Sequence, residues 1–213
     1  MNIETQQGEQ KMRTLYIVPI IHIIEDYGSL ASAFQDVYIR LLGQKKFDEK
    51  QKQIREFWIL AEKEMRKHVK KIKGLIIYQD AFPATDRKKI QKFFDLSVND
   101  NPKSPNFLLI KKLLTDGAIL EGTEDFNLIV EQMELAKQLI LAPSEEERKA
   151  ILEKTKDRSA EIVRLRDAFI AKRIWETLPS EGEGIIFIGR DHDVIKALEE
   201  LEAEGEEINI ICL

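Results

Sequence analysis

The sequence predicts an α/β fold, a mostly parallel or mixed central sheet of about five strands covered by long helices. Three observations predict it. Short runs rich in Ile and Val recur along the chain, and several are apolar at every position, as strands buried on both faces are. Stretches with a helical period separate these runs. Gly, Pro or a capping residue stands at most of the junctions. We read residues 14–213 as a single α/β domain and residues 1–13 as a disordered polar tail, with no apolar core and so no signal peptide.

The first strand is expected over residues 15–21, with Pro19 arguing for a bulge or an edge position. Gly28-Ser29 opens a helical stretch to Leu42, closed by Gly43. Residues 47–72 form a long amphipathic helix, in which Phe47, Ile54, Phe57, Trp58, Ala61, Met65, Val69 and Ile72 recur at threes, fours and sevens. That face packs on the sheet or, less simply, receives a partner. Gly74 ends it, and the second strand follows over 75–78. Pro83 blocks further pairing and Thr85 caps a helix to Leu96. After the breaker-rich loop 97–103, Ser104 caps a helix with Pro105 at its first position. It runs to Thr115. A brief third strand covers 118–120, and Thr123 caps a helix over 124–141. Pro143 ends that helix, and the capping box Ser144 to Glu147 opens another to Leu178. The polar stretch 154–158 within it is a break or a solvent-bridging section. The fourth strand is expected over 185–188, ending in Gly189, and a helix leads to Ala203. Gly205 turns the chain into a last strand over 208–213.

Composition narrows the function classes. A hydrophobic share of 43% supports a packed core. A net charge of −5 is a poor match to general nucleic-acid binding. No apolar run approaches the roughly 20 residues of a membrane helix. Cys212 is the single cysteine, which forms no internal disulfide and reads as a small buried apolar residue. A cytoplasmic protein with no membrane or nucleic-acid partner is expected, acting on a small-molecule or peptide substrate. Oligomeric state leaves no mark in the sequence.

In open α/β sheets, ligands bind beyond the carboxyl ends of the strands. Strand one delivers His22, then Glu25 and Asp26; strand two delivers Gln79 and Asp80; strand three delivers Glu121, then Glu124 and Asp125. Strand four delivers Arg190, Asp191, His192 and Asp193. Acids in such places commonly cap the next helix. The chain has three histidines, and two of them follow strands. The third, His68, falls on the long helix beside apolar positions and reads as packing. The helix start disfavours a charged His192, while Asp191 and Asp193 favour one or orient the ring.

The stretch Val18-Pro19-Ile20-Ile21-His22, with Glu25, Asp26 and Gly28 behind it, resembles the first histidine motif of the TraB, Tiki and erythromycin-esterase-like superfamily. Arg166 to Ile174, followed by Gly184-Ile185-Ile186-Phe187-Ile188-Gly189-Arg190-Asp191-His192, resembles its second half. The resemblance implies one pocket lined by His22, Glu25 or Asp26, Asp80, Arg166 and His192. It implies a hydrolase-type site. In that reading His22, with Glu25 or Asp26 beside it, activates a water, and Arg166 binds a substrate anion or oxyanion, with Asp26, Asp80 and Arg190 as further binding residues. His192 is then a proton donor or second ligand. The main variant is a divalent metal held by His22, His192 and a carboxylate. The alternative is a non-catalytic ligand-binding or protein-interaction domain, which Gln79 favours because the family pattern has an acid there.

Overall fold

The computed structural model of the chain describes residues 12–24, 31–202 and 207–213. Its elements run in the order β1 (Arg13–Ile20), α1 (Ala31–Leu42), α2 (Gln44–His68), β2 (Ile76–Gln79), α3 (Arg87–Asp100), α4 (Pro105–Thr115) and β3 (Ile119–Glu121). Then follow α5 (Phe126–Leu141), α6 (Glu145–Thr177), β4 (Glu183–Gly189), α7 (Val194–Glu202) and β5 (Ile208–Cys212). The five strands form one sheet in the order β3-β2-β4-β1-β5, and every pairing is parallel. The α/β expectation holds, and the sheet is wholly parallel.

Side-chain alternation along the strands gives the sheet two apolar faces. Tyr16, Val18, Ile77, Ile185 and Phe187 meet Trp58, Met65, Ile90, Phe94 and Ile110 from α2, α3 and α4. Leu15, Ile17, Tyr78, Ile186 and Ile188 meet Ile170, Ile174, Val194 and Leu198 from α6 and α7 on the other side. The apolar face of the long helix α2 therefore packs on the sheet, and Trp58 Nε1 donates to the Ile21 carbonyl at 3.0 Å.

The chain leaves β2 into α3 on the first face and leaves β4 into α7 on the second. These two strands are neighbours. Their carboxyl ends thus diverge to opposite faces, which opens a crevice between them at a topological switch point.

Three local expectations are corrected and two alternatives are decided. Strand β1 has neighbours on both sides, but at Pro19 only β4 pairs with it, in unbroken register, so the expected edge holds locally and there is no bulge. Ile17 accepts from Leu213 N, and β5 pairs no further. Pro19, two residues on, faces the same side, where its missing N–H has no strand to serve. Helix α3 is capped by Asp86, not Thr85, and extends to Asp100. Asp125, not Thr123, caps α5, accepting from Asn127 N and Leu128 N. Helix α6 is unbroken through 154–158, and this stretch is largely exposed, so of the two alternatives the solvent-bridging section holds; Arg158 there reaches across to Glu131 on α5 at 2.6 and 2.7 Å. Cys212 is exposed. The expected turns at Gly28-Ser29 and Gly205 lie outside the described residues.

Candidate functional site

The crevice between β2 and β4 holds a cluster of ionisable side chains drawn from four segments. Asp80 follows β2 directly. Its Oδ2 accepts from Gly189 N at 2.9 Å, so one carboxylate oxygen ties the ends of the two strands together. Its Oδ1 accepts from Arg166 Nη2 at 2.7 Å. A Cβ at Gly189 would stand 3.0 Å from Asp80 Oδ2, so the absence of a side chain there lets the carboxylate approach the backbone.

Arg166 is on the inward face of α6 and is 5% exposed. Its Nε bonds to Glu124 Oε2, its Nη2 donates to Glu124 Oε1 at 2.7 Å, and its Nη1 donates to Gln132 Oε1 on α5. With the bond to Asp80, four of the five guanidinium donors are engaged by the protein. The fifth, on Nη1, has no partner among the described residues. Glu124 is fully buried and also accepts from Ala81 N at 2.5 Å. That bond accompanies a left-handed Ala81 backbone, φ 60°, which costs a residue with a Cβ about 1–2 kcal/mol.

The second half of the cluster is a carboxylate–imidazole pair. Asp167, 6% exposed, places Oδ1 2.5 Å from His192 Nδ1, and its Oδ2 accepts from Asp193 N at 2.9 Å. A carboxylate can only accept, so the Nδ1 position carries the proton in the neutral ring. Nε2 is left with its lone pair. It stands 3.8 Å from Asp80 Oδ1, beyond hydrogen-bond range, and has no hydrogen-bond partner among the described residues.

The charges shift one another. Burial works against the His192 cation, yet the Asp167 bond and the nearby Asp80 charge raise its pKa above the ordinary value. Burial likewise opposes ionisation of Asp80, yet His192 and Arg166 hold its carboxyl below the usual range. Glu124 is pushed up, by burial first and then by the Asp80 charge, with Arg166 opposing.

A cavity of about 660 Å³ opens over this cluster, and His22, Asp80, Arg166, Arg190 and His192 all line it. Residues 170 positions apart in the chain therefore face one space. Arg190 and Asp191 are exposed at the rim, and His22 is exposed at the end of β1. Glu25 and Asp26 lie outside the described residues. Among the described residues no group of three or more His, Cys, Asp or Glu is placed to hold a metal ion. Asp80 is engaged by Arg166 and Gly189, and His192 Nδ1 by Asp167, so of these only His192 Nε2 faces the cavity unengaged.

Two participants do not stand out in the sequence. Asp167 carries a signal: with Arg166 it falls on the buried stripe of Ile162, Ile170 and Ile174, where an unpaired acid would be costly. Glu124 carries none, since an acid between a strand and a helix reads as a cap. His68, with a half-exposed side chain, lies on α2 away from the cavity lining. Comparison with protein-family models, curated proteins and solved structures finds no match to this chain. No helix among the described residues is long and apolar enough to cross a membrane.

Proposed function

We propose that the chain is a hydrolase of esters or amides, of the TraB, Tiki and erythromycin-esterase-like type, with His192 as its general base. The observation that carries this reading is the Asp167–His192 pair beneath the cavity. A buried carboxylate on Nδ1 selects the tautomer whose Nε2 accepts a proton, and it stabilises the cation that results. The sequence alone favoured His22 for this role. The burial and fixed orientation of His192 favour it instead, with His22 facing the same space.

In the proposed reaction Nε2 takes a proton from a water, and the water oxygen forms a bond to the substrate carbonyl carbon. The remaining Nη1 donor of Arg166 stabilises the oxyanion. Collapse breaks the bond to the leaving oxygen or nitrogen, which receives the proton from His192. The products are a carboxylic acid and an alcohol or amine. The ion pairs of Arg166 make its role here positional as well as electrostatic, and a whole substrate anion would have to displace Glu124 or Asp80. The reading needs no metal, because His192 takes the proton and Arg166 stabilises the oxyanion. A protein that binds such ligands without turnover is the second reading, and the Gln79 position favours it.

A panel of ester, amide and phosphoester substrates, run with the wild type and His192→Ala, tests the proposal. Ester or amide turnover that falls about 10²–10⁴-fold in the variant, with the melting transition retained, is the expected result. Turnover unaffected by the substitution removes His192 from the mechanism. No turnover on any substrate leaves the binding reading.

A further inference from the structure

One of the partners of Arg166 has a second polar end. Gln132 lies on α5 one turn past the buried Ile129, and its Oε1 accepts from Arg166 Nη1. A guanidinium has no acceptor, so this contact fixes which end of the carboxamide faces it. The amide nitrogen Nε2 is turned away from Arg166. It has no hydrogen-bond partner among the described residues, and it is accessible to solvent. Gln132 lines the cavity of about 660 Å³ together with His192, and also a smaller one of about 210 Å³; His22, Asp80 and Arg166 line both. Two N–H donors, linked to each other through one hydrogen bond, therefore border this space without a partner among the described residues: Gln132 Nε2 and the remaining hydrogen on Arg166 Nη1.

We propose that Gln132 is a catalytic residue, the second donor of an oxyanion site whose first donor is Arg166 Nη1. This rests on the hydrolase reading and completes it, since a single donor leaves most of the charge on a tetrahedral oxyanion unmet. As the water oxygen bonds to the carbonyl carbon and His192 takes the proton, the electron pair of the carbonyl π bond moves to the oxygen, and Nε2 and Nη1 both donate to it. On collapse that pair re-forms the double bond, and the leaving group departs with the proton from His192. Holding Arg166 does not by itself call for an amide. A carboxylate accepts from a guanidinium more strongly, as Glu124 and Asp80 do, but it has no hydrogen to give. A third acid would also place a like charge beside the developing oxyanion. A carboxamide holds Arg166, adds no charge and leaves an N–H to donate.

The test pairs p-nitrophenyl acetate with p-nitrophenyl methylphosphonate, a stable anion with the tetrahedral shape of the intermediate. The Gln132 side-chain amide is assigned in a proton–nitrogen correlation spectrum by its absence from Gln132→Met. In wild type saturated with the phosphonate, one of its protons should move downfield. Gln132→Met should bind the phosphonate about ten-fold or more weakly and lose about 10²–10³-fold in kcat with KM little changed. Gln132→Glu keeps an acceptor for Arg166 and should lose as much, whereas a residue that only positioned Arg166 would tolerate it. The control Gln138→Glu adds the same charge at an exposed site on the same helix and should match wild type. A Gln132 amide unmoved by bound phosphonate, or wild-type kcat in Gln132→Met, overturns the role of Gln132 and leaves the hydrolase. The amide shift and the weakened phosphonate binding, with no turnover of any ester, sustain the donor pair as an anion site and remove the reaction. No phosphonate binding and no turnover overturn both.

Discussion

Arg166 meets two carboxylates and a carboxamide in a place with almost no water, and this sets the cost of removing it. Arg166→Met would strand Glu124 and Asp80 as uncompensated buried acids, at about 3–5 kcal/mol in urea unfolding. Arg166→Lys should recover little, because an ammonium cannot reproduce the forked contacts. Ala81→Gly should act the other way, raising stability by about 1 kcal/mol through relief of the left-handed backbone. A destabilised Ala81→Gly would show that the Glu124 bond does not hold that conformation in solution. The strand ends presented Asp80 and His192 as candidates, whereas Arg166, in the middle of a long helix, was a candidate only through the family resemblance. The sequence did not present the pairing of Arg166 with Glu124 and Gln132, because those contacts span 42 and 34 residues and depend on how α5 docks.

Between elements, close backbone approach is the constraint that composition hides. A Cβ at Gly122 would lie 2.3 Å from the Pro83 carbonyl oxygen and 2.7 Å from Ala84 Cα. Backbone cannot swing away, so Gly122→Ala should cost about 2–4 kcal/mol and disturb the neighbouring turn that carries Asp80 and Ala81. Arg158→Ala should leave the urea midpoint nearly unchanged despite its two short bonds to Glu131, because the pair is solvent-exposed. Strands and helices were legible from period and breakers. Their caps were less so: Thr85 and Thr123 satisfy the same pattern as Asp86 and Asp125, and the choice falls to whichever side chain is free. Thr123 is not free, since its hydroxyl accepts from Gln79 N at 3.0 Å inside the core. Pro19 marked a local edge but not which strand leaves it open, because that is set by where β5 stops.

Across the whole molecule, the strand order places the cluster at the switch point, and the cluster in turn makes stability depend on pH. The raised pKa of His192 gives stability that is complete below its ordinary value of 6.5 and is lost as pH rises through the folded value. The raised pKa of Glu124 acts in the same direction, from an ordinary 4.5. Asp80 is lowered, so its contribution is present above 3.8 and lost as pH falls through the folded value. The melting temperature should therefore peak on the mildly acidic side, and His192→Ala should flatten its alkaline limb. A limb unchanged by that substitution would place the dependence elsewhere. Fold class was readable because buried parallel strands leave continuous apolar runs. The strand order, and hence which strand ends share a crevice, was not, because helical crossovers of similar length permit several orders.

The pH dependence of kcat/KM toward a cleavable ester, measured for wild type and Asp167→Asn together, bears most directly on the role of His192. A base with a raised pKa gives a rate that climbs to a plateau, with its inflection above the ordinary histidine value. Removing the Asp167 charge should move that inflection to lower pH and lower the plateau. An inflection at the same pH in both proteins, or no inflection at all, would mean that the Asp167–His192 pair does not supply the base.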